Sequence, residues 1–162
     1  MKTVFGDFVT GRGAWGVLVV RFVLGLGLTI HGWSKIQSPG GALGWMGPDA
    51  PIPGFLQGLA TLAEFGGGLA LIAGLLTPLA SLGIAITMLV AIYTVGVKGG
   101  NPFINDAGPS YETAAAYLAV ALLMIFTGPG ALSLDYALWG KKSRAKSEPL
   151  QSSDLQHAHG SS

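Results

Sequence analysis

Four apolar stretches, separated by clusters of glycine and proline, restrict this chain more than any other feature. They run over about 14–34 (AWGVLVVRFVLGLGLTIHGWS), 55–76 (FLQGLATLAEFGGGLALIAGLL), 79–97 (LASLGIAITMLVAIYTVGV) and 111–127 (YETAAAYLAVALLMIFT). A helix needs about 20 mostly apolar residues to cross the hydrocarbon core of a bilayer. Each stretch is near that length and ends at turn chemistry. Ser38-Pro39-Gly40-Gly41 follows the first, and Pro48, Pro51 and Pro53 precede the second. Asn101-Pro102 and Gly108-Pro109 bracket the loop before the fourth, and Gly128-Pro129-Gly130 ends it. Only Thr77-Pro78 separates the second from the third, which predicts a tight antiparallel hairpin. The expected fold class is all-α: a polytopic membrane four-helix bundle.

Composition agrees. Half the chain is apolar and only 10% is charged, against about 25% in a soluble domain. The 26 glycines, many of them inside the spans, suit close helix packing in a membrane. Gly66-Gly67-Gly68 has no preceding strand and no lysine, so it is not a phosphate loop. The net charge of +1 gives no reason to expect nucleic acid as a partner; the bilayer itself is the expected one. With no cysteine, disulfides, thiolate iron–sulfur ligation, c-type haem attachment and a cysteine nucleophile are all excluded. Any redox chemistry therefore needs a borrowed, non-thiolate cofactor.

Lysine and arginine near span ends set the expected orientation. Lys2, Arg12, Lys141, Lys142, Arg144 and Lys146 fall on one side, and Lys35 and Lys98 on the other. This places both termini in the cytoplasm of a bacterial-type plasma (inner) membrane. The first apolar run contains Arg21 and lacks a small-residue cleavage site, so it is read as a retained helix rather than a signal peptide. Residues 132–139 (LSLDYALW) are too short to span and predict a short interfacial helix starting near Ser133 and Asp135, with Tyr136 and Trp139 at head-group depth. The chain divides into a transmembrane domain, 1–140, and a basic, disordered cytoplasmic tail, 141–162, whose lysines would face anionic lipid. His157 and His159 in that tail are not expected to hold a metal.

Ionisable residues inside a span are costly unless paired or hydrated, so each is a functional candidate. Arg21, His31 and Glu64 lie well inside, and Lys35 and Glu112 lie at the outer ends. Arg21 sits roughly 10 Å from the cytoplasmic end of the first span and His31 roughly 25 Å; Glu64 sits roughly 14 Å from the outer end of the second, a depth between the two. Arg21, Gly25, Leu28, Gly32 and Lys35 share one stripe, and Gln57, Thr61, Glu64, Gly68 and Leu71 another. The latter, polar face should point into the bundle. A seam of ionisable groups then runs from Arg21 through Glu64 to His31, Lys35 and Glu112. Two readings stay open. Arg21 and Glu64 form a buried ion pair that sets helix register, or His31 with Glu64 binds a polar head group and exchanges protons with a quinone-like carbonyl. A single histidine in the spans does not support haem or a four-ligand metal site, and no metal site or catalytic nucleophile is legible.

Four motifs stand in order: R-x₃-G-x₅-H-G-x₂-K at Arg21, Gly25, His31, Gly32 and Lys35; E-x-G-G at Glu64, Gly66 and Gly67; G-L-L-T at Gly74 to Thr77; and G-P-G-x₂-S-L-D at Gly128 to Asp135. Together they resemble the DoxX family of small four-helix membrane proteins over about Trp15 to Tyr136. The resemblance implies a membrane subunit tied to redox chemistry, since some members are subunits of thiosulfate:quinone oxidoreductase and others associate with oxidative-stress enzymes. Its matching positions are Arg21, His31, Lys35, Glu64 and Asp135. Pro78 departs from the Arg or Lys that many members carry after the threonine ending the second span. The first expectation is a quinone-interacting, redox-associated membrane subunit, with quinone as the non-covalent cofactor and a redox-enzyme subunit as partner. The second is a non-catalytic anchor or assembly subunit of a respiratory or oxidative-stress complex. The third is a small solute or proton carrier. A homo-oligomer is compatible with each.

Overall fold

The computed structural model describes residues 9–140. Helix α1 spans Arg12–Ile36, α2 Gly54–Ala73, α3 Thr77–Ile92 and α4 Glu112–Thr127; α3 continues through the wider helical turns of Tyr93–Lys98. A 3₁₀ turn, Gly41–Leu43, lies in the α1–α2 loop, and a short helix α5, Tyr136–Gly140, follows α4. There is no strand among the described residues. The fold class is the all-α membrane bundle that the apolar runs predict. The tail 141–162, with its basic cluster and histidines, lies outside the described residues, as do Lys2 and the side chain of Trp139.

Three helices are long and apolar enough to cross a membrane: Arg12–Ile36, Gly54–Ala73 and Thr77–Lys98. The fourth has 16 residues, about 24 Å of helix, which falls short of a hydrocarbon core of about 30 Å. The chain beyond it, Gly128, Pro129 and Gly130, is buried and extends the crossing as irregular backbone. Such backbone is tolerated at depth only where protein covers it.

The bundle is apolar outside as well as inside. Its core is a thin column of Leu24, Leu28, Leu71, Ile84, Ala85, Met88 and Ala121. Phe126 is 85% exposed and Val97 70%, and leucine and isoleucine side chains cover the outer helix faces. Helices that are apolar all round belong in lipid.

In the order α1–α2–α3–α4 each helix packs on the next, whereas α1 and α4 meet at only a few residues. The α1–α2 contact is the tightest because glycines face each other there. A Cβ on Gly25 would lie 2.6 Å from the carbonyl oxygen of Gly68, and one on Gly32 would lie 2.5 Å from the backbone nitrogen of Phe65. Backbones in van der Waals contact are the usual way that membrane helices associate. The up-and-down order creates two ends. The tail end holds the start of α1, the α2–α3 turn and the segment after α4. The loop end holds the two longer connections, 37–53 and 99–111.

Candidate functional site

The six candidate residues do not form one seam. They separate into two clusters, one at each end, and two outlying side chains.

At the tail end, Arg21 is fully buried. Its Nη1 donates to the carbonyl of Pro129 and its Nη2 to that of Leu132 at 2.9 Å. The expected Arg21–Glu64 ion pair does not form. The carbonyls at the end of α4 take the guanidinium instead, because the buried turn after α4 leaves backbone acceptors with no helical partner. Asp135, also fully buried, lies within electrostatic reach of Arg21. Its Oδ1 accepts from the backbone N–H of Leu76 at 2.8 Å and its Oδ2 from that of Thr77 at 2.9 Å, while its own N–H donates to the Gly74 carbonyl at 2.9 Å. Asp135 thus caps α3, a helix 58 residues earlier in the chain, and it also stands at the start of the short helix expected near Ser133, whose Oγ accepts from the Tyr136 N–H at 3.1 Å. The turn of the predicted hairpin is Gly74–Leu76, and Thr77-Pro78 are the first residues of α3. Gly74 has φ +67°, and a Cβ there would strike Ser133 and Arg21. Leu76 holds the same left-handed region at φ 49° without glycine's freedom.

At the loop end, Lys35 Nζ donates to Glu64 Oε1 at 2.6 Å, the one ion pair among the described residues. Glu64 is 5% exposed, and its Oε2 is buried without a hydrogen-bond partner. The Lys35 ammonium lies 4.2 Å from the centre of the Trp45 ring, a cation–π distance. The loop carrying Trp45 is pinned to α2. Thr61 Oγ1 donates to the Ala42 carbonyl, Gln57 Oε1 accepts from Met46 N, and Gln57 Nε2 donates to the Ile52 carbonyl. Gln57, Thr61, Glu64, Gly68 and Leu71 are all buried, so the polar face of α2 does point inward.

The depth estimate for Glu64 needs correction. Counting from the start of α2 placed it below His31, yet it meets Lys35, one helical turn above His31. The reason is that α2 begins beyond the end of α1: its first turns pack against the climbing loop 41–46, not against α1. Sequence reasoning missed Trp45 for the same reason, and it put Gln57 on the inward face without a signal for the loop that Gln57 holds.

The outlying pair are His31 and Glu112. His31 is exposed, and its ring meets Tyr117 of α4 edge-on with centroids 6.1 Å apart. Glu112 is exposed at the first turn of α4, where a carboxylate favours the helix dipole. No group of three or more His, Cys, Asp or Glu side chains that could hold a metal occurs among the described residues.

Chemically, the loop-end cluster offers an ammonium with spare N–H groups beside a carboxylate oxygen with a spare lone pair, under an aromatic cover. It can donate to a carbonyl and accept from a hydroxyl at once. At the tail end each Asp135 oxygen accepts from a backbone N–H, and the Arg21 Nε–H is buried without a hydrogen-bond partner, so this cluster keeps a spare donor but no open carboxylate oxygen.

Comparison with known proteins gives a consistent picture. The DoxX family model matches residues 16–97. The inner membrane protein YqjF of Escherichia coli (strain K12) is 34% identical over 126 residues, covering 76% of this chain and 92% of that protein. The protein named "Putative oxidoreductase CatD" of Bacillus subtilis (strain 168) is 31% identical over 129 residues, covering 79% and 91%. No solved structure matches.

Proposed function

This chain belongs to the DoxX family of membrane proteins, and on that premise we propose that it is a redox-associated membrane subunit that takes a quinone head group at Lys35 and Glu64. One observation carries the reading: Glu64 is buried inside the bundle with one oxygen paired to Lys35 and the other left open. A buried carboxylate oxygen without a partner costs free energy that the hydroxyl of a bound ligand would recover. A quinone carbonyl would accept from Lys35, and the hydroxyl of the reduced quinol would donate to Glu64 Oε2. The electrons would come from a partner oxidoreductase. The name carried by the Bacillus relative supports a redox setting. The name of the Escherichia coli relative supports an inner membrane location, and the bias of Lys and Arg supports an orientation with the tail end cytoplasmic.

A carrier fits less well. Alternating access needs a path that opens to each side in turn, and the Arg21–Asp135 cluster closes the tail end with buried hydrogen bonds.

The test is quinone content and quinol turnover of membranes or nanodiscs holding the full chain, wild type against Glu64→Gln. The expected result is loss of retained quinone and of quinol turnover in the variant. Unchanged retention and turnover would sink the reading and leave an anchor or assembly role.

A further inference from the structure

We propose that His31 and Tyr117 form a side port between α1 and α4, through which a quinone with a long isoprenoid tail brings its head group from the bilayer to Lys35 and Glu64. This rests on the quinone reading above and adds the route and the ligand class.

Three observations carry it. The first is angular. At about 100° per residue, His31 is displaced about 40° from Lys35 around α1 and one turn below it. Gly27 lies a further turn down on the same side. Lys35 turns to α2, whereas Gly27 and His31 turn to α4, where the Tyr117 hydroxyl occupies the notch that Gly27 leaves. The second is closure elsewhere. The α1–α2 side is sealed by glycine-mediated backbone contact. From the loop end, Trp45 and the loop pinned to Gln57 and Thr61 cover the pair. The α1–α4 seam is the loosest in the bundle. The third is chemical. His31 is exposed on a helix long and apolar enough to span the membrane, and its imidazole makes no hydrogen bond among the described residues. Polar side chains in spans normally face the bundle or a partner group. An exposed imidazole and a half-buried phenol on this seam, one helical turn below the half-buried Lys35 and the buried Glu64, offer a polar head group contacts on its way to the pair. Its apolar tail can stay among the acyl chains.

The experiment uses the full chain in lipid nanodiscs and two probes, a long isoprenoid-tailed quinone and a tail-less benzoquinone. His31→Trp plugs the seam and should slow uptake of the tailed quinone at least tenfold, leaving the tail-less probe within twofold. His31→Ala opens the seam but removes the imidazole from its wall, so it should slow the tailed quinone less than His31→Trp does and leave the tail-less probe near wild type. Glu64→Gln should lower binding of both. If His31→Trp does not fold, Tyr117→Trp places the same bulk on the opposite wall. The port is overturned if the tryptophan variant slows both probes alike or neither, or if His31→Ala loses the tailed quinone as fully as His31→Trp. It is also overturned if the tryptophan variant changes the oligomeric mass instead of uptake, which would mean that a second copy covers the seam. If Glu64→Gln spares both probes, the site itself fails and the port with it, whereas a failed port alone leaves the Glu64 result standing.

Discussion

The two ends of this bundle each hold a buried acidic side chain near a basic one, and they use them in opposite ways. At the tail end the charges are held apart by backbone. Both oxygens of Asp135 accept from the α2–α3 turn, and two guanidinium nitrogens of Arg21 donate to carbonyls after α4. At the loop end Lys35 and Glu64 touch directly, and one carboxylate oxygen is spare. The first arrangement joins three chain segments that are far apart in sequence. The second joins two helices already fixed by glycine contacts. The contrast lies between the two acids: Asp135 has both oxygens engaged by backbone N–H groups, whereas Glu64 keeps one buried oxygen without a partner. On the proposed function Asp135 is a clamp and Glu64 a site, and the Arg21 Nε–H, also buried without a partner, belongs to the clamp.

The sharpest way to break this comparison is to remove each acid in turn. Asp135→Ala strips the cap from α3 and leaves Arg21 without its buried counter-charge. The buried N–H groups of Leu76 and Thr77 lose their acceptors, each at a cost of about 1–3 kcal/mol, so thermal unfolding in mild detergent should show a large fall in Tm, or loss of folded protein. Gly74→Ala should act in the same direction, since φ +67° alone costs a non-glycine residue about 1–2 kcal/mol, before the clash with Ser133 and Arg21. Whatever Asp135→Ala protein does fold should retain quinone. If wild type retains quinone and a stable Asp135→Ala protein does not, the two assignments are reversed.

How much of this was legible in the sequence differs between the ends. The helices themselves were legible because bilayer thickness sets a length and glycine and proline mark the stops; the ends of α1 and α2 moved by only a few residues. That Glu64 faces inward was legible from its spacing with Gln57, Thr61 and Gly68. Its partner was not. The choice between Arg21 and Lys35 depends on how far α2 projects beyond α1, which a loop of irregular backbone decides. Asp135 was legible only as part of a motif. A side chain that caps a helix 58 residues away leaves no local pattern, since capping rules read neighbours in sequence.

A smaller effect is expected at the loop end, and it sharpens the contrast. Lys35→Met alone leaves Glu64 buried without its counter-ion, which should cost about 1–2 kcal/mol, reduced because Lys35 is partly reachable by solvent. Combining it with Glu64→Gln removes both charges, and a pair replaced together is close to neutral in stability. The double variant should therefore unfold near the wild-type temperature, yet bind no quinone. If it is as unstable as the single variant, the pair is structural and the two ends differ less than proposed.

The smallest expected effect tests whether the tail end holds strain. Leu76 has φ 49°, a conformation that costs a leucine about 1–2 kcal/mol and that asparagine adopts more readily. Asp135 holds it there through the Leu76 N–H at 2.8 Å. Leu76→Asn should therefore raise stability by up to about 1 kcal/mol, read as a rise of a few degrees in Tm. The same substitution in an Asp135→Asn background should gain less. Asparagine at 135 presents one acceptor oxygen in place of two, so the turn can relax and there is less strain to relieve. Residues joined by one hydrogen-bond network depart from additivity in this way. Equal gains in both backgrounds would mean that the turn keeps its left-handed residue without help from Asp135, and that the clamp acts on α3 alone.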